Sequence, residues 1–278
     1  MIDTDIIDFY NRGLEQERLK DARRSIEYHR TMDVLQRFLP PPPATILDVG
    51  GGPGLYALTL AALGYQVHLI DPVPLHVEQA QASSDLAEHR LASARLGDAR
   101  DLSQADASAD AVLLLGPLYH LTTVADRHQA WSEARRVLRP DGMVVAAGAS
   151  RYYTIWEMLS KGILNVPGAE ETVQQHIATG QHRNPGRDFE RLWTTAYFHD
   201  PHELASEAVA AGLAVRALFA VEGPAKLLPD LADRMRDSVS REQVVAAIRR
   251  LESEPSVLGL SSHILVIADK APAGKEER

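Results

Sequence analysis

The 278 residues contain no cysteine. Disulfides, thiolate metal ligands and a cysteine nucleophile are therefore excluded, although that absence does not identify a compartment. No apolar run approaches the ~20 residues that cross a bilayer as a helix, so no membrane partner is expected. The segment Met1-Ile-Asp-Thr-Asp-Ile6 is acidic, with no basic stretch leading into an apolar core, so no secretory signal and a cytoplasmic location are expected. Positive charge is also in deficit: 29 Lys and Arg stand against 38 Asp and Glu, a formal net charge of -9. A surface short of cations gains little by releasing counterions from a phosphate backbone, which argues against nucleic acid as a partner. Pairs such as Arg23-Arg24 and Arg249-Arg250 read as solvated helix faces.

What is present is ordinary for a globular chain: 45% hydrophobic and 24% charged residues, enough for a sizeable core near the upper size of one domain. Residues 1 to about 40 read as helical, and Pro40-Pro-Pro-Pro43 ends that region as a stiff spacer. Strand and helix then alternate. Strands are predicted at 45–49, 66–70, 92–96, 110–115 and 143–147, with helices at 55–63, 76–83 and 125–138. The run Asp110 to Leu115 is continuously apolar after its first residue, as a strand buried on both faces should be. Pro140-Asp-Gly142 predicts a turn before the fifth strand. This order predicts an α/β fold, a doubly wound and mostly parallel sheet with its ligand at the carboxyl ends of the strands. Beyond Ser150 the regularity breaks into an aromatic helical segment and the polar, turn-prone stretch Thr179 to Gly186. A helix near 201–211, a strand near 215–221, a second insertion and a strand at 264–268 complete the pattern, and no internal repeat is visible.

The chemistry concentrates in Ile46-Leu-Asp-Val-Gly-Gly-Gly-Pro-Gly54. Glycines where a strand turns into a helix permit positive φ and close backbone approach to a ligand. Asp48 narrows the ligand, because a carboxylate beside this turn opposes a pyrophosphate and favours a cation. The spacing also departs from G-x-G-x-x-G, with Leu55 in the third glycine's place and Gly54 one residue early, which weakens a nicotinamide-dehydrogenase reading.

These residues resemble the class I S-adenosylmethionine-dependent methyltransferases over roughly 44–150 and again near 196–222. The resemblance implies a Rossmann-like, seven-stranded sheet, S-adenosylmethionine as methyl donor and S-adenosylhomocysteine as product. It also implies a division into an N-terminal helical cap (1–43), a donor-binding core (44–150) and an inserted helical lid (151–194). The rest of the core with a second insertion (195–270) and a disordered tail (271–278) follow.

Carried onto this chain, Asp48, Gly50, Gly51, Gly52 and Gly54 form the loop that meets the donor's methionine part. Asp71, followed by Pro72, is placed to accept from both ribose hydroxyls, or else to cap the next helix. Asp98 and Ala99 resemble the adenine motif, the less favoured alternative for Asp98 being a plain loop with a solvated carboxylate. Leu115 and Gly116 stand in the loop beside the methyl group, where relatives that methylate amino groups of nucleic acids or glutamine often carry Asn or Asp. With Gly116 there, that form of nitrogen capture has no support.

Tyr119 and His120 are the candidate catalytic pair, His120 as proton acceptor or as a loop anchor. Tyr10, His182, Arg183 and Tyr197 are candidate acceptor contacts, with Arg12, Tyr28, His29 and Arg30 possible members of the N-terminal cap. His199-Asp-Pro-His202 reads as a helix start capped by Asp200, and no metal site is expected. The function expected is methyl transfer to an oxygen or nitrogen of a small molecule. The alternatives are aminocarboxypropyl transfer or cyclisation using the same donor, or a non-catalytic regulator that binds it.

Overall fold

The computed structural model describes residues 4–13, 15, 21–183 and 193–271. It begins with helices α1 (Thr4–Tyr10) and α2 (Ser25–Phe38), then runs β1 (Thr45–Val49), α3 (Leu55–Ala62), β2 (Gln66–Asp71), α4 (Pro74–Leu86), β3 (Ser93–Leu96) and β4 (Ala109–Leu114). A single 3-10 turn, Leu118–His120, leads into α5 (Val124–Val137) and β5 (Leu138–Ser150). The segment expected to form a lid holds α6 (Thr154–Ser160), α7 (Ala169–Thr179) and β6 (Gln181–His182), followed by β7 (Ala196–His199), α8 (Pro201–Ala210) and β8 (Leu213–Ala220). Helices α9 (Leu231–Arg236), α10 (Ser238–Arg249) and α11 (Pro255–Leu258) form the second insertion before β9 (His263–Lys270).

The main sheet runs β3-β2-β1-β4-β5 in parallel and continues antiparallel into β9 and β8. These seven strands form the expected mostly parallel sheet, and two short strands extend it to nine: β7 pairs parallel with the end of β5, and β6 pairs antiparallel with β7. Its centre is hydrophobic because β1 and β4 bury almost every side chain, and helices cover both faces. Parallel strands joined by helices leave their carboxyl ends at one edge, and the glycine loop, Asp71 and Gly116 all lie there.

Local chemistry explains the helix starts. Thr123 caps α5 by accepting from the Asp126 amide, and Asp200 caps α8 in a reciprocal box with Glu203, with Pro201 at the first helical position. The last element thus resolves His199-Asp-Pro-His202 as the helix start that the sequence suggests.

Two expectations need correction. Pro140-Asp-Gly142 does not precede the fifth strand but sits inside β5, where Asp141 takes φ 64° and the pairing with β4 shifts register. The turn residues make a bulge because pairing begins before them, at Leu138 with Ala109. The polar stretch after Thr179 contributes a short strand: Gln181 and His182 pair antiparallel with Tyr197 and Ala196. A two-residue strand is too short to show periodicity. The remainder of that stretch from Asn184, and the expected tail from Pro272, lie outside the described residues. Among the described residues, no helix is long and apolar enough to cross a membrane.

Candidate functional site

The glycine loop is fixed from below and above. Gly50 donates to the Ile70 carbonyl (2.7 Å), and Gly52 donates to Asp71 Oδ2 (2.8 Å), which ties β1's loop to the end of β2. A Cβ on Gly51 would lie 2.7 Å from Asp48 Oδ2, and one on Gly50 would lie 2.9 Å from Pro117 Cδ while φ is +71°. Side chains at either place would displace the carboxylate or the loop after β4.

Asp48 itself is 1% exposed; the Ala57 backbone amide bonds weakly to it, and neither oxygen meets a donor at full hydrogen-bond geometry. Burial, followed by the charge of Asp71, pushes its carboxyl up to about 7. A cation arriving beside it would favour the ionised form and draw the carboxyl back down.

Asp71 is buried and fully engaged by its own chain: Oδ1 accepts from the Val73 amide (2.9 Å) and faces His76 Nδ1 (3.1 Å). It shapes the turn into α4 without serving as that helix's N-cap, a position held by Val73. His76, a site residue the sequence reading passed over, is 3% exposed and lines the same cavity, and its Nε2 is buried with no partner. Its signal was its place in the first turn of the helix after Asp71, but a lone histidine on a helix reads equally well as packing.

Asp98 is not a bare acceptor. Arg100 donates to Oδ1 through its amide and Nε (both 2.9 Å) and to Oδ2 through Nη2 (2.6 Å), and reaches Asp126 at 2.7 Å. Burial pushes the Asp98 carboxyl up, but these bonds and the Arg100 charge outweigh it and hold it below the usual range. Any adenine amino group would share an already bonded carboxylate.

Three cavities meet at Tyr119. The first, about 670 Å³, runs from Gly50 and Gly52 past Asp71, Pro72 and His76 to Asp98, Ala99 and Gly116. The second, about 730 Å³, lies against Asp48, the glycines, Leu115 and His263. The third, about 990 Å³, is walled by Tyr153, Trp193, Phe198, Lys226, His120 and His263. Gly54 sits at the start of α3 with φ 92°, its backbone packed on Ala80, and is not part of the cavity walls.

Tyr10 reaches across from α1: its hydroxyl lies 2.7 Å from His120 Nε2, and its ring stands edge-on to both His120 and His76. Tyr10, Tyr119 and His120 therefore come together, between the first and third cavities.

The other acceptor candidates do not join them. Side chains alternate along β7, so Ala196 and Phe198 face the third cavity while Tyr197 and His199 face the opposite side. The Tyr197 hydroxyl donates to Glu203, and the Arg127 guanidinium lies 3.6 Å from its ring centre. His182 is buried beside His176 (2.8 Å between ring nitrogens) under Trp193 and Phe198, away from the cavity walls. Burial pushes His182 down to about 4, and burial plus His182 pushes His176 down to about 3, so both are neutral packing groups at neutral pH. Arg183 is exposed, and Arg12 stacks over Phe9. Tyr28 and Arg30 hold α2 in place, Tyr28 through Thr59 (2.9 Å) and Arg30 through buried ion pairs with Asp33 and Glu252. His29 is half-buried next to Tyr28.

The geometry has counterparts. A family model described as "Methyltransferase domain" matches residues 47–146, which contain the glycine loop, Asp71 and Asp98. A ubiquinone biosynthesis O-methyltransferase of Azorhizobium caulinodans is 31% identical over 173 residues, 62% of this chain and 60% of that protein. Human methyltransferase-like protein 27 is 42% identical over 90 residues, 31% of this chain and 36% of that protein. The match thus spans about 60% of the length of the Azorhizobium relative. Among solved structures, an S-adenosylmethionine-dependent methyltransferase from Mesorhizobium loti superimposes with a TM-score of 0.58 at 16% identity, covering 87% of this chain and 98% of that one. One from Methanosarcina mazei gives 0.57 at 17% identity, with 86% and 97% covered. At such identities these two speak for the fold alone.

Proposed function

Because this chain belongs to the class I S-adenosylmethionine-dependent methyltransferases, we propose that it transfers the methyl group of that donor to an oxygen or nitrogen of a small-molecule acceptor. The observation that carries the reading is Asp48, a buried carboxylate with no donor at full hydrogen-bond geometry, set under a glycine loop where a side chain at Gly50 or Gly51 would clash. Such a group fits the cationic methionine end of the donor and opposes a pyrophosphate. In this reading Asp48 and Gly50 to Gly52 hold the methionine part, while Asp71 and His76 face the ribose. Asp98 and Ala99 face the adenine, and Leu115 and Gly116 back the methyl group.

When bound, the donor supplies a carbon already activated by its sulfonium. The protein's part is to align the acceptor, exclude water and receive a proton where one must leave. The chamber walled by Tyr153, Trp193 and Phe198 meets the donor cavities at Tyr119, which supports a small acceptor held in this recess. The ubiquinone-biosynthesis name of the Azorhizobium relative adds support for oxygen as the attacked atom.

Calorimetry with S-adenosylhomocysteine and NADH tests the donor, with binding expected only for the first. Product analysis after incubation with labelled donor and small phenols and amines tests the reaction. S-adenosylhomocysteine is the expected product; methylthioadenosine would replace methyl transfer with aminocarboxypropyl chemistry.

A further inference from the structure

We propose that His263, oriented by Glu222, is the general base that takes the acceptor's proton, an assignment that rests on the methyl-transfer reading above. In-line transfer places the attacked atom where the donor cavity under the glycine loop opens into the acceptor chamber. Two titratable side chains among the described residues border both spaces: Tyr119 and His263. A phenol with an ordinary pKa near 10 is a poor base at neutral pH, whereas an imidazole is suited to the task.

The surroundings of His263 decide its orientation. Its Nδ1 lies 2.7 Å from Glu222 Oε1, and its own amide donates to Glu222 Oε2 (2.9 Å). Ser261 Oγ donates to the same oxygen (3.0 Å), and Lys226 Nζ stands 3.2 Å from Oε1. Glu222 is 0% exposed and cannot rotate without breaking this set. A carboxylate held against Nδ1 keeps the hydrogen of the neutral ring on that nitrogen and leaves the lone pair on Nε2. The side chain retains 18% exposure, and the ring meets Tyr119 at 6.4 Å between centroids. By contrast, His120 engages its Nε2 with the Tyr10 hydroxyl.

The charged groups facing the ring are Glu222, Glu27 (3.8 Å from Nδ1) and Lys226, with Ser262 beside it and Arg24 and Glu157 further along the chamber wall. Burial alone would lower the imidazole pKa, but Glu27 and then Glu222 outweigh it and hold it above the ordinary value. That shift favours the charged ring, so the neutral, basic form with its free Nε2 lone pair gains as pH rises. In the step itself the acceptor's O–H bond breaks and its proton passes to Nε2. The oxygen's electron pair forms the new bond to carbon, and the carbon–sulfur pair leaves with sulfur.

The test compares wild type, His263→Ala, Glu222→Gln and Glu27→Gln with labelled donor and a panel of small phenols, alongside NMR titration of the His263 ring in the S-adenosylhomocysteine complex. The expected result is a loss of at least about 100-fold in kcat for His263→Ala, with S-adenosylhomocysteine affinity within about three-fold of wild type. Glu222→Gln, or Glu27→Gln should the former fail to fold, should move the acid limb of the kcat profile and the NMR titration downward together. Wild-type transfer that survives His263→Ala within about three-fold overturns this assignment and leaves the methyl-transfer reading standing. Failure of wild type to methylate any acceptor sinks the reading itself. A ring titrating at or below about 6.5 and unmoved by both glutamine variants overturns the assignment in either case.

Discussion

Two buried carboxylates stand on either side of the space under the glycine loop: Asp48 lines it, and Glu222 lies behind His263. They are the same functional group at nearly the same burial, 1% and 0% exposed. Asp48 has only a weak backbone bond from Ala57, with no donor at full hydrogen-bond geometry, and its carboxyl is pushed up to about 7. Glu222 faces Lys226, the His263 ring and two further donors, whose charges outweigh burial and hold it far below the usual range. The difference teaches how to separate structural from functional charge in this fold. A carboxylate completed by its own chain orients a neighbour, while one left incomplete beside a void is arranged for a charge that arrives from outside.

Three substitutions put that contrast at risk. The largest effect is expected for Glu222→Ala, which strips Lys226 and His263 of their shared counter-charge. Removing one partner of a buried pair costs roughly 3–5 kcal/mol, measurable by urea denaturation at pH 7. A loss under about 1 kcal/mol would mean that the pair behaves like a surface one. Because the folded-state pKa of Glu222 lies below the unfolded value, its stabilisation is present above about pH 4.5 and fades as pH falls, and the variant should lack that acid-side slope.

Asp48→Asn should act in the opposite direction on the ligand-free protein. The folded-state pKa of Asp48 lies above the ordinary value of 3.8, so it favours folding below that pH and loses the benefit as pH rises through about 7. The asparagine variant should gain roughly 1–3 kcal/mol over wild type at pH 8, with the gap closing near pH 4. Its affinity for S-adenosylhomocysteine should nevertheless fall about ten-fold or more. Thermal melts across pH and calorimetry check the two halves, and an unchanged affinity would remove Asp48 from the donor site.

The smallest effect is expected for Tyr10→Phe, a neutral control between the two charged regions. Loss of its hydrogen bond to His120 should weaken S-adenosylhomocysteine binding by about 0.5–1.5 kcal/mol with little dependence on pH. A pH-dependent loss in calorimetry would show that this pair carries charge and belongs with the carboxylates.

The part of this site legible in the sequence is the part written in consecutive residues. Asp48 and its glycines, Asp71 with Pro72, and Asp98 with Ala99 each lie at the end of a strand, where local pattern sets position. The strand and helix order was readable for the same reason. Glu222 and His263 are 41 residues apart and Tyr10 and His120 are 110 apart, so their meetings depend on how β8, β9 and α1 pack. His182 and Tyr197 looked like acceptor contacts because they are polar groups near the lid. A one-residue alternation along β7 and the two-residue length of β6 turn them inward, and neither is visible as a periodicity.

The position of β9 in the sheet bears on how the molecule is assembled. This strand lies between β5 and β8, pairing with β5 from Met143–Asp269 to Ala149–His263 across more than 100 intervening residues. Such long-range pairing is slow to form, because the intervening chain must be ordered before the contact rewards it. During synthesis a ribosome-bound chain that ends before residue 263 would hold the glycine loop, Asp71 and Asp98, yet β5 would keep an unpaired edge. The elements proposed to bind the donor would emerge first, and the strand that closes the sheet would bring His263 to the chamber in the same event.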